Sequence, residues 1–113
     1  MSKCLFCDIA AGRAPARIVY QDEHITAFHD LHPQAPVHIL IVPNRHIVSC
    51  AELAAGDEAV MGHLLVKAAH IAAQAGLSGG FRLVSNAGRP AGQSVFHLHV
   101  HLLGGRTFRW PPG

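Results

Sequence analysis

The most regular pattern of apolar and polar positions lies near the end of the chain. In the stretch 93–103, three histidines alternate with large apolar residues. Strict period-two alternation of this kind predicts a half-buried β-strand with one apolar face and one histidine face. At about 3.3 Å per residue, His97, His99 and His101 would form a row roughly 13 Å long. We do not expect a row of that length to close around one metal ion.

Four other short segments are rich in β-branched, aliphatic and aromatic residues and predict further strands. Residues 18–20 and 25–28 are separated by a turn-prone segment, which predicts a hairpin. Residues 37–42 predict a longer, nearly all-apolar strand at the centre of the sheet, and residues 81–85 predict one more strand.

From Asp57 to Ala75 the apolar period changes from two to about 3.6, which predicts one long amphipathic helix. Asp57 is placed to cap its start, and Gly76 is placed to end it in a left-handed conformation. Shorter helical turns are predicted at residues 8–12 and 49–53. The apolar stripe of the long helix consists of Val60, Leu64, Leu65, Ala68, Ile71, Ala72 and Ala75. The predicted fold is α+β, with an antiparallel sheet of about five strands and one long helix.

Length and composition fit a single domain spanning residues 1–113. With 113 residues and 50% hydrophobic content, the chain can form one core and is too short for two ordinary domains. The net charge of +2 comes without a run of Lys or Arg, so a nucleic-acid partner is poorly supported. Because no apolar stretch suits a signal peptide or a membrane span, we expect no membrane partner and a cytoplasmic location.

Cys4 and Cys7 form a C-x-x-C pair, and Cys50 makes the cysteine count odd. An odd count fits a reducing compartment better than a disulfide framework. The pair can be two small buried residues, a redox dithiol or half of a metal site. Two thiolates about one turn apart suit a tetrahedral zinc shell that histidines complete, so structural zinc is the preferred hypothesis.

The ten histidines are the main anomaly of the composition. A lone histidine is most often a structurally satisfied residue, but burying three imidazoles on one sheet face is unfavourable unless polar partners lie there. A polar ligand is therefore expected on that face. The loop 86–94, rich in Gly and small residues, can present main-chain N–H groups to a phosphate. Asp30 follows a predicted strand, where an aspartate commonly caps a turn.

The histidine pattern closely resembles the signature of the histidine triad superfamily: three histidines separated by single apolar residues, with two apolar residues after the last. Other segments resemble one branch of it, the histidine triad nucleotide-binding proteins. In chain order these segments are 28–31, 33–38, 43–46, 93–95, 103–106 and 110–113. The resemblance therefore covers essentially the whole chain.

This resemblance implies roles for particular residues. The zinc ligands would be Cys4, Cys7, His46 and His97. The catalytic residues would be His99 as nucleophile, with His38, His97, His101 and Ser94. The nucleotide contacts would be Phe6, Ile9, Phe28, Asp30, Leu31, Asn86, Gly92, Gln93, Ser94, His99 and His101, with Asp30 on the ribose hydroxyls. The loop departs from that branch at Arg89-Pro90-Ala91, which leaves the preferred leaving group open.

The resemblance also implies a two-fold homodimer whose sheet extends across the interface. The implied activity is hydrolysis of purine nucleoside phosphoramidates, derivatives of AMP or GMP, through a nucleotidyl-histidine intermediate, with zinc structural and no cofactor needed for catalysis. Two alternatives stay open. One is a dinucleoside polyphosphate hydrolase, and the other is a nucleotide-binding regulatory or scaffold protein.

Overall fold

The computed structural model describes residues 3–113, so the first two residues of the predicted domain lie outside it. Five strands form one antiparallel sheet: β1 (Ile18–Gln21), β2 (Ile25–His29), β3 (Val37–Pro43), β4 (Arg82–Val84) and β5 (Val100–Gly104). Their order across the sheet is β1-β2-β3-β5-β4. Two α-helices, α1 (Leu5–Ala10) and α2 (Glu58–Gln74), and three short 3-10 turns complete the fold. The predicted α+β architecture is confirmed.

β3 is the central strand, as its apolar sequence predicted. It pairs with β2 on one side and β5 on the other, and it is buried along nearly its whole length. The β1–β2 hairpin is also as predicted. Its turn is closed by Asp22, whose Oδ1 accepts hydrogen bonds from the main-chain N–H groups of His24 and Ile25.

The two faces of the sheet pack against different helices, because successive side chains of a strand point to opposite sides. One face packs against α2 and contributes Ile25, Ala27, Ile39, Ile41, Val100 and Leu102 to the main core. The opposite face packs against α1 and contributes Phe28, Leu40 and Val42. His38 and His101 also belong to this second face, since His101 pairs with Leu40 in the sheet register. The period-two pattern thus separates the core from the candidate site.

Both ends of α2 lie where the sequence predicted them, but the side chain of Asp57 has a different role. Gly76 has a φ of +80°, and the N–H groups of Gly76 and Leu77 donate to the carbonyls of Ala73 and Ala72. These bonds satisfy carbonyls that the last helical turn leaves unpaired. At the other end, Asp57 occupies the predicted N-cap position of α2, but its side chain makes no capping hydrogen bond to the helix. Its carboxylate instead accepts the N–H of Ala54 at 3.0 Å and closes the 3-10 turn that precedes the helix.

The predicted apolar stripe of α2 is wrong at Leu65 and at Ala75, which are both exposed. The helix buries Leu64, Ala68, Ile71 and Ala72, which follow one another at intervals of four, three and one residues. Leu65 follows Leu64 in sequence and therefore lies to the side of this narrow buried face, where it is 50% exposed. Its neighbour Val66 is 55% exposed. The surface of α2 away from the sheet is therefore apolar in part.

The predicted histidine strand is too long. β5 begins only at Val100, so His97 and His99 precede the strand. The ladder with β3 ends at the pair Ile41–Val100, and beyond it β3 reaches Pro43, which has no N–H to donate. Instead, the N–H of Leu98 donates to the carbonyl of Ile47 at 2.6 Å.

The short helical turns lie near their predicted positions. α1 begins three residues earlier than predicted because Cys4 caps it, its Sγ accepting the N–H of Cys7 at 3.3 Å. The turn predicted at 49–53 forms as Cys50–Glu52. Within residues 3–113, no helix combines the length and apolarity needed to cross a membrane.

Candidate active site and metal-ligand cluster

A cavity of about 450 Å³ opens on the α1 face of the sheet. Nine of the predicted site residues line it: Phe6, Ile9, Phe28, Asp30, Leu31, His38, Ser94, His99 and His101. Four other predicted catalytic or nucleotide-contact residues do not line the cavity: Asn86, Gly92, Gln93 and His97. The volume suits a small ligand such as a nucleotide.

His99 is buried and has one defined tautomer. Its Nδ1 lies 2.8 Å from the carbonyl oxygen of His97. Since a carbonyl only accepts, Nδ1 must carry the proton, and Nε2 keeps the lone pair. The ring of Phe6 packs edge-on against His99, with centroids 5.1 Å apart. The predicted nucleophile is thus held by one hydrogen bond and one aromatic contact, and the neutral form of its ring has the lone pair on Nε2.

His38 and His101 form a hydrogen-bonded chain with a fixed direction. The main-chain N–H of Gln34 donates to Nδ1 of His38 at 3.0 Å, so this nitrogen has no proton. The proton of a neutral His38 is therefore on Nε2, which lies 2.9 Å from Nδ1 of His101. Because that nitrogen of His101 accepts, Nε2 of His101 carries its proton. The chain ends in an N–H donor in the pocket.

The pKa values of both histidines support this assignment. Burial lowers the pKa of His38, and the carboxylate of Asp30 opposes it only in part. Burial is also the main reason that the pKa of His101 is lowered to about 4, and neighbouring His99 and His38 lower it further. Both rings are therefore neutral near pH 7, as the hydrogen-bonded chain requires.

Asp30 has one carboxylate oxygen in a turn and the other at the cavity. Its Oδ1 accepts the N–H of His32 at 2.7 Å and closes the turn after β2. Its Oδ2 lies 3.4 Å from Nε2 of His38 and borders the cavity. One oxygen is thus structural, and the other is directed toward the site.

Gln93 holds the loop before the histidines and does not line the cavity. Its Oε1 accepts the N–H of Gly88 at 2.8 Å, and its Nε2 donates to the carbonyls of Val48 and Val95. Gly92 has a φ of +105°, which side chains other than glycine rarely adopt. The loop therefore has a fixed path, which brings Ser94 to the cavity.

The four predicted metal ligands converge beside this cavity. Sγ of Cys4 and Sγ of Cys7 lie 3.2 and 3.4 Å from Nδ1 of His97, and Sγ of Cys7 lies 3.4 Å from Nδ1 of His46. In a tetrahedral zinc site, bonds of about 2.3 Å to sulfur and 2.0–2.1 Å to nitrogen place these atoms about 3.5 Å apart. The donor set and its spacing fit zinc.

His97 belongs to this cluster and not to the cavity. It is fully buried, and its Nε2 donates to the carbonyl of Pro43 at 2.8 Å. This bond leaves the lone pair of Nδ1 directed at the two sulfurs, which is how a metal-binding histidine is usually oriented. Burial lowers the pKa of His97, so the ring stays neutral and able to bind a metal.

A second group of ligand atoms is formed by Asp30, His38 and His101, whose donor atoms all lie within 4.8 Å of one another. This group shares a proton more readily than it binds a metal. A metal on Nε2 of His38 would require the proton on Nδ1, which faces the N–H of Gln34. Two N–H groups would then point at each other.

Comparisons with known proteins place this geometry in a family. The sequence pattern of the HIT domain matches residues 11–108. The chain belongs to the HIT family. A relative named as an uncharacterised HIT-like protein, from Synechococcus elongatus, is 50% identical over 109 residues and 96% of each chain is covered.

Two solved structures of HIT proteins are also similar. A HIT family hydrolase from Legionella pneumophila superimposes with a TM-score of 0.96 at 46% identity, covering 98% of this chain and 100% of the other. A histidine triad protein from Clostridium difficile superimposes with a TM-score of 0.92 at 39% identity, covering 96% of each chain.

Sequence reasoning missed two groups that determine imidazole tautomers in this HIT protein. They are the N–H of Gln34 and the carbonyl of Pro43, which determine the tautomers of His38 and His97. Both are main-chain groups, so no side-chain pattern signals them. Only the fold brings them to the imidazoles.

Proposed function

We propose that this HIT protein hydrolyses purine nucleoside phosphoramidates, with His99 as the nucleophile. The observation that carries the proposal is the pairing of complementary nitrogens in one cavity. Nε2 of His99 has a lone pair, and Nε2 of its neighbour His101 has a proton. One can attack phosphorus while the other donates to an oxygen or to the leaving group.

In the first step, Nε2 of His99 forms a bond to the α-phosphorus and the phosphorus–nitrogen bond to the amine breaks. The ring of His99 gains positive charge, which the carbonyl of His97 stabilises through the Nδ1–H bond. The departing amine takes a proton from solvent, relayed by the hydroxyl of Ser94, while the neutral ring of His101 donates a hydrogen bond from Nε2 to a phosphoryl oxygen; both residues line the cavity. General-acid assistance of this kind is typically worth about 10²–10⁴ in rate.

In the second step, water attacks the same phosphorus and the bond to His99 breaks, so Nε2 regains its lone pair. The proton released by the water returns to solvent and balances the one that solvent gave to the amine. The products are a nucleoside monophosphate and an amine, and the side chains return to their starting state. Each step is assigned to side chains of the cavity.

The remaining lining residues account for the nucleotide in this proposal. Phe6, Ile9, Phe28 and Leu31 offer an apolar wall for a purine, and the outward oxygen of Asp30 can accept from ribose hydroxyls. The proposed contacts from Gly92 and Gln93 are indirect, since these two residues shape the loop that presents Ser94. Asn86 does not line the cavity.

Two other functions compete with this one. A dinucleoside polyphosphate hydrolase would use the same nucleophile, but its leaving group departs as an anion and needs no proton. The hydroxyl of Ser94 at the cavity, which can relay a proton, favours a leaving group that does need one. A regulatory nucleotide-binding protein needs no buried imidazole with a fixed unprotonated nitrogen, so the geometry of His99 favours an enzyme.

Comparison of kcat/KM for adenosine phosphoramidate with that for diadenosine triphosphate tests the substrate class. We expect the amidate to be preferred by orders of magnitude. Equal rates would replace the proposed function with the dinucleotide hydrolase. Binding of AMP without turnover of either substrate would favour the regulatory function.

We also propose that this protein binds structural zinc and forms a homodimer in the cytoplasm. Zinc bound by Cys4, Cys7, His46 and His97 would supply a closed, purely structural shell. The exposed apolar residues Leu65 and Val66 of α2 support a dimer interface. Light scattering on the wild type and on Leu65→Glu would test the dimer, with a monomeric wild type contradicting it.

A further inference from the structure

The turn between β2 and β3 carries two groups that act on His38. The carboxylate of Asp30 approaches Nε2 from one end of the turn, and the N–H of Gln34 binds Nδ1 from the other. Both favour a proton on Nε2, because one is an acceptor beside Nε2 and the other is a donor beside Nδ1. The turn thus determines the direction of the whole chain from Gln34 to His101.

A reversed chain would place the opposite group in the cavity. If Nδ1 of His38 carried the proton, Nε2 would accept from Nδ1 of His101, and Nε2 of His101 would be left with a lone pair. A lone pair facing a negatively charged phosphoryl oxygen is repulsive, and it cannot donate to an amine. The N–H of Gln34 therefore matters to the proposed reaction although it lies two imidazoles from the substrate.

Arg106 holds the backbone of Gln34 at the next peptide unit, because the carbonyl of Gln34 is joined to Ala35 whereas its N–H is joined to Pro33. Nε of Arg106 donates to the carbonyl of Gln34 at 3.2 Å. The guanidinium lies over the ring of Phe108 at 4.3 Å and also donates to the carbonyl of Thr107. Gly105 supports the same contact, since it has a φ of +89° and a Cβ there would lie 2.8 Å from Cβ of Pro36. The chain after β5 thus packs closely on the turn.

We propose that Arg106 is a positioning residue that determines, by holding the backbone of Gln34, which nitrogens of His38 and His101 carry their protons. This inference rests on the proposed function for its catalytic consequence. Its structural part concerns two imidazole tautomers and is measurable without any substrate.

The chain offers a matched control in Arg82. The guanidinium of Arg82 lies over the same Phe108 ring, at 5.0 Å, and donates to the carbonyl of Arg109, not to Gln34. Arg106→Met and Arg82→Met each remove one positive charge and one cation–π contact while keeping an unbranched side chain over the ring. Only Arg106→Met removes the bond to the turn.

The experiment is long-range ¹H–¹⁵N correlation NMR on protein labelled at the histidine nitrogens, with His38 assigned by comparison with His38→Gln. In the wild type we expect protonated Nε2 and unprotonated Nδ1 on both His38 and His101. Arg106→Met should shift both rings toward a mixture of tautomers. Its kcat should fall by between about twofold and tenfold, the range that one hydrogen bond corresponds to. Arg82→Met should match the wild type in both measurements.

Three results would overturn the proposal. They are a proton on Nδ1 of His38 in the wild type, wild-type nitrogen signals in Arg106→Met, and an equal shift in Arg82→Met. The expected tautomers in a protein that does not cleave adenosine phosphoramidate would support the positioning role and contradict the proposed function. The two failures are therefore distinguishable.

Discussion

The carbonyl of His97 accepts the Nδ1–H of His99 at 2.8 Å, while the side chain of His97 belongs to the candidate metal cluster. One residue therefore links the two sites through its main chain and its imidazole. Phe6 makes a second link, since it lies between Cys4 and Cys7 on α1 and its ring packs on His99. Disorder in the metal cluster should therefore disturb the position of His99.

Cys7→Ser should therefore lose zinc, thermal stability and activity together. Removing one thiolate opens the tetrahedral shell, and structural zinc sites contribute directly to folding free energy. Elemental analysis should find about one zinc per chain in the wild type and much less in the variant. Calorimetry should show a lower Tm, and kcat should fall because His97 no longer holds the carbonyl in place.

The matched control is Cys50→Ser, because Cys50 bonds to Ser85 and lies outside the cluster. It should keep the zinc content of the wild type. In a cobalt titration, wild-type protein freed of metal should bind one equivalent with thiolate charge-transfer absorption. A second tight equivalent with histidine and carboxylate ligation would contradict the argument that Asp30, His38 and His101 share a proton.

The sequence predicted the sheet, the long helix and most of the cavity lining, because period and turn chemistry are local properties. The strand predicted over the histidines was too long, because pairing with β3 stops before Pro43, which has no N–H to donate. Pro43 lies on another strand, so the pattern around the histidines does not reveal it. The sequence also assigned His97 to catalysis as well as to metal binding. The structure turns the ring of His97 toward Cys4 and Cys7, which alternation alone could not show.

Acidification should destabilise the fold through His101. Its pKa is lowered from 6.5 to about 4, so between these values the unfolded chain binds a proton that the folded chain does not. Stability is therefore lost as pH falls through this window. Tm measured at pH 7 and pH 5 should fall more steeply for the wild type than for His101→Gln. Equal slopes would show that His101 does not titrate in this way.

Ser94→Ala should reduce the preference for amidates. The hydroxyl of Ser94 lies at the cavity, where it can relay a proton to a departing amine, which a polyphosphate leaving group does not need. We expect kcat/KM to fall strongly for adenosine phosphoramidate and little for diadenosine triphosphate. Ser78→Ala, at an exposed position away from the cavity, is the control. A uniform loss on both substrates would remove Ser94 from proton transfer.

Asp30→Asn should weaken ribose recognition without opening the turn. Asn keeps an oxygen that can accept the N–H of His32, but it replaces the outward carboxylate oxygen with an amide donor. Affinity for AMP should fall about tenfold, since hydrogen bonds to charged groups contribute about 1.5–3 kcal/mol. Calorimetric titration with 2′,3′-dideoxy-AMP should show almost no difference between the variant and the wild type. A similar loss for both ligands would place Asp30 away from the ribose.

The most direct test is capture of the covalent intermediate on His99. Wild-type protein mixed with labelled adenosine phosphoramidate is quenched within one turnover in alkaline denaturant, because acid cleaves a phosphorus–imidazole bond. Peptide mapping should find adenylate on the peptide containing His99, bound to Nε2. His99→Ala should bind AMP and carry no label. Turnover by wild-type protein without label on any histidine, or undiminished kcat in His99→Ala, would contradict the account.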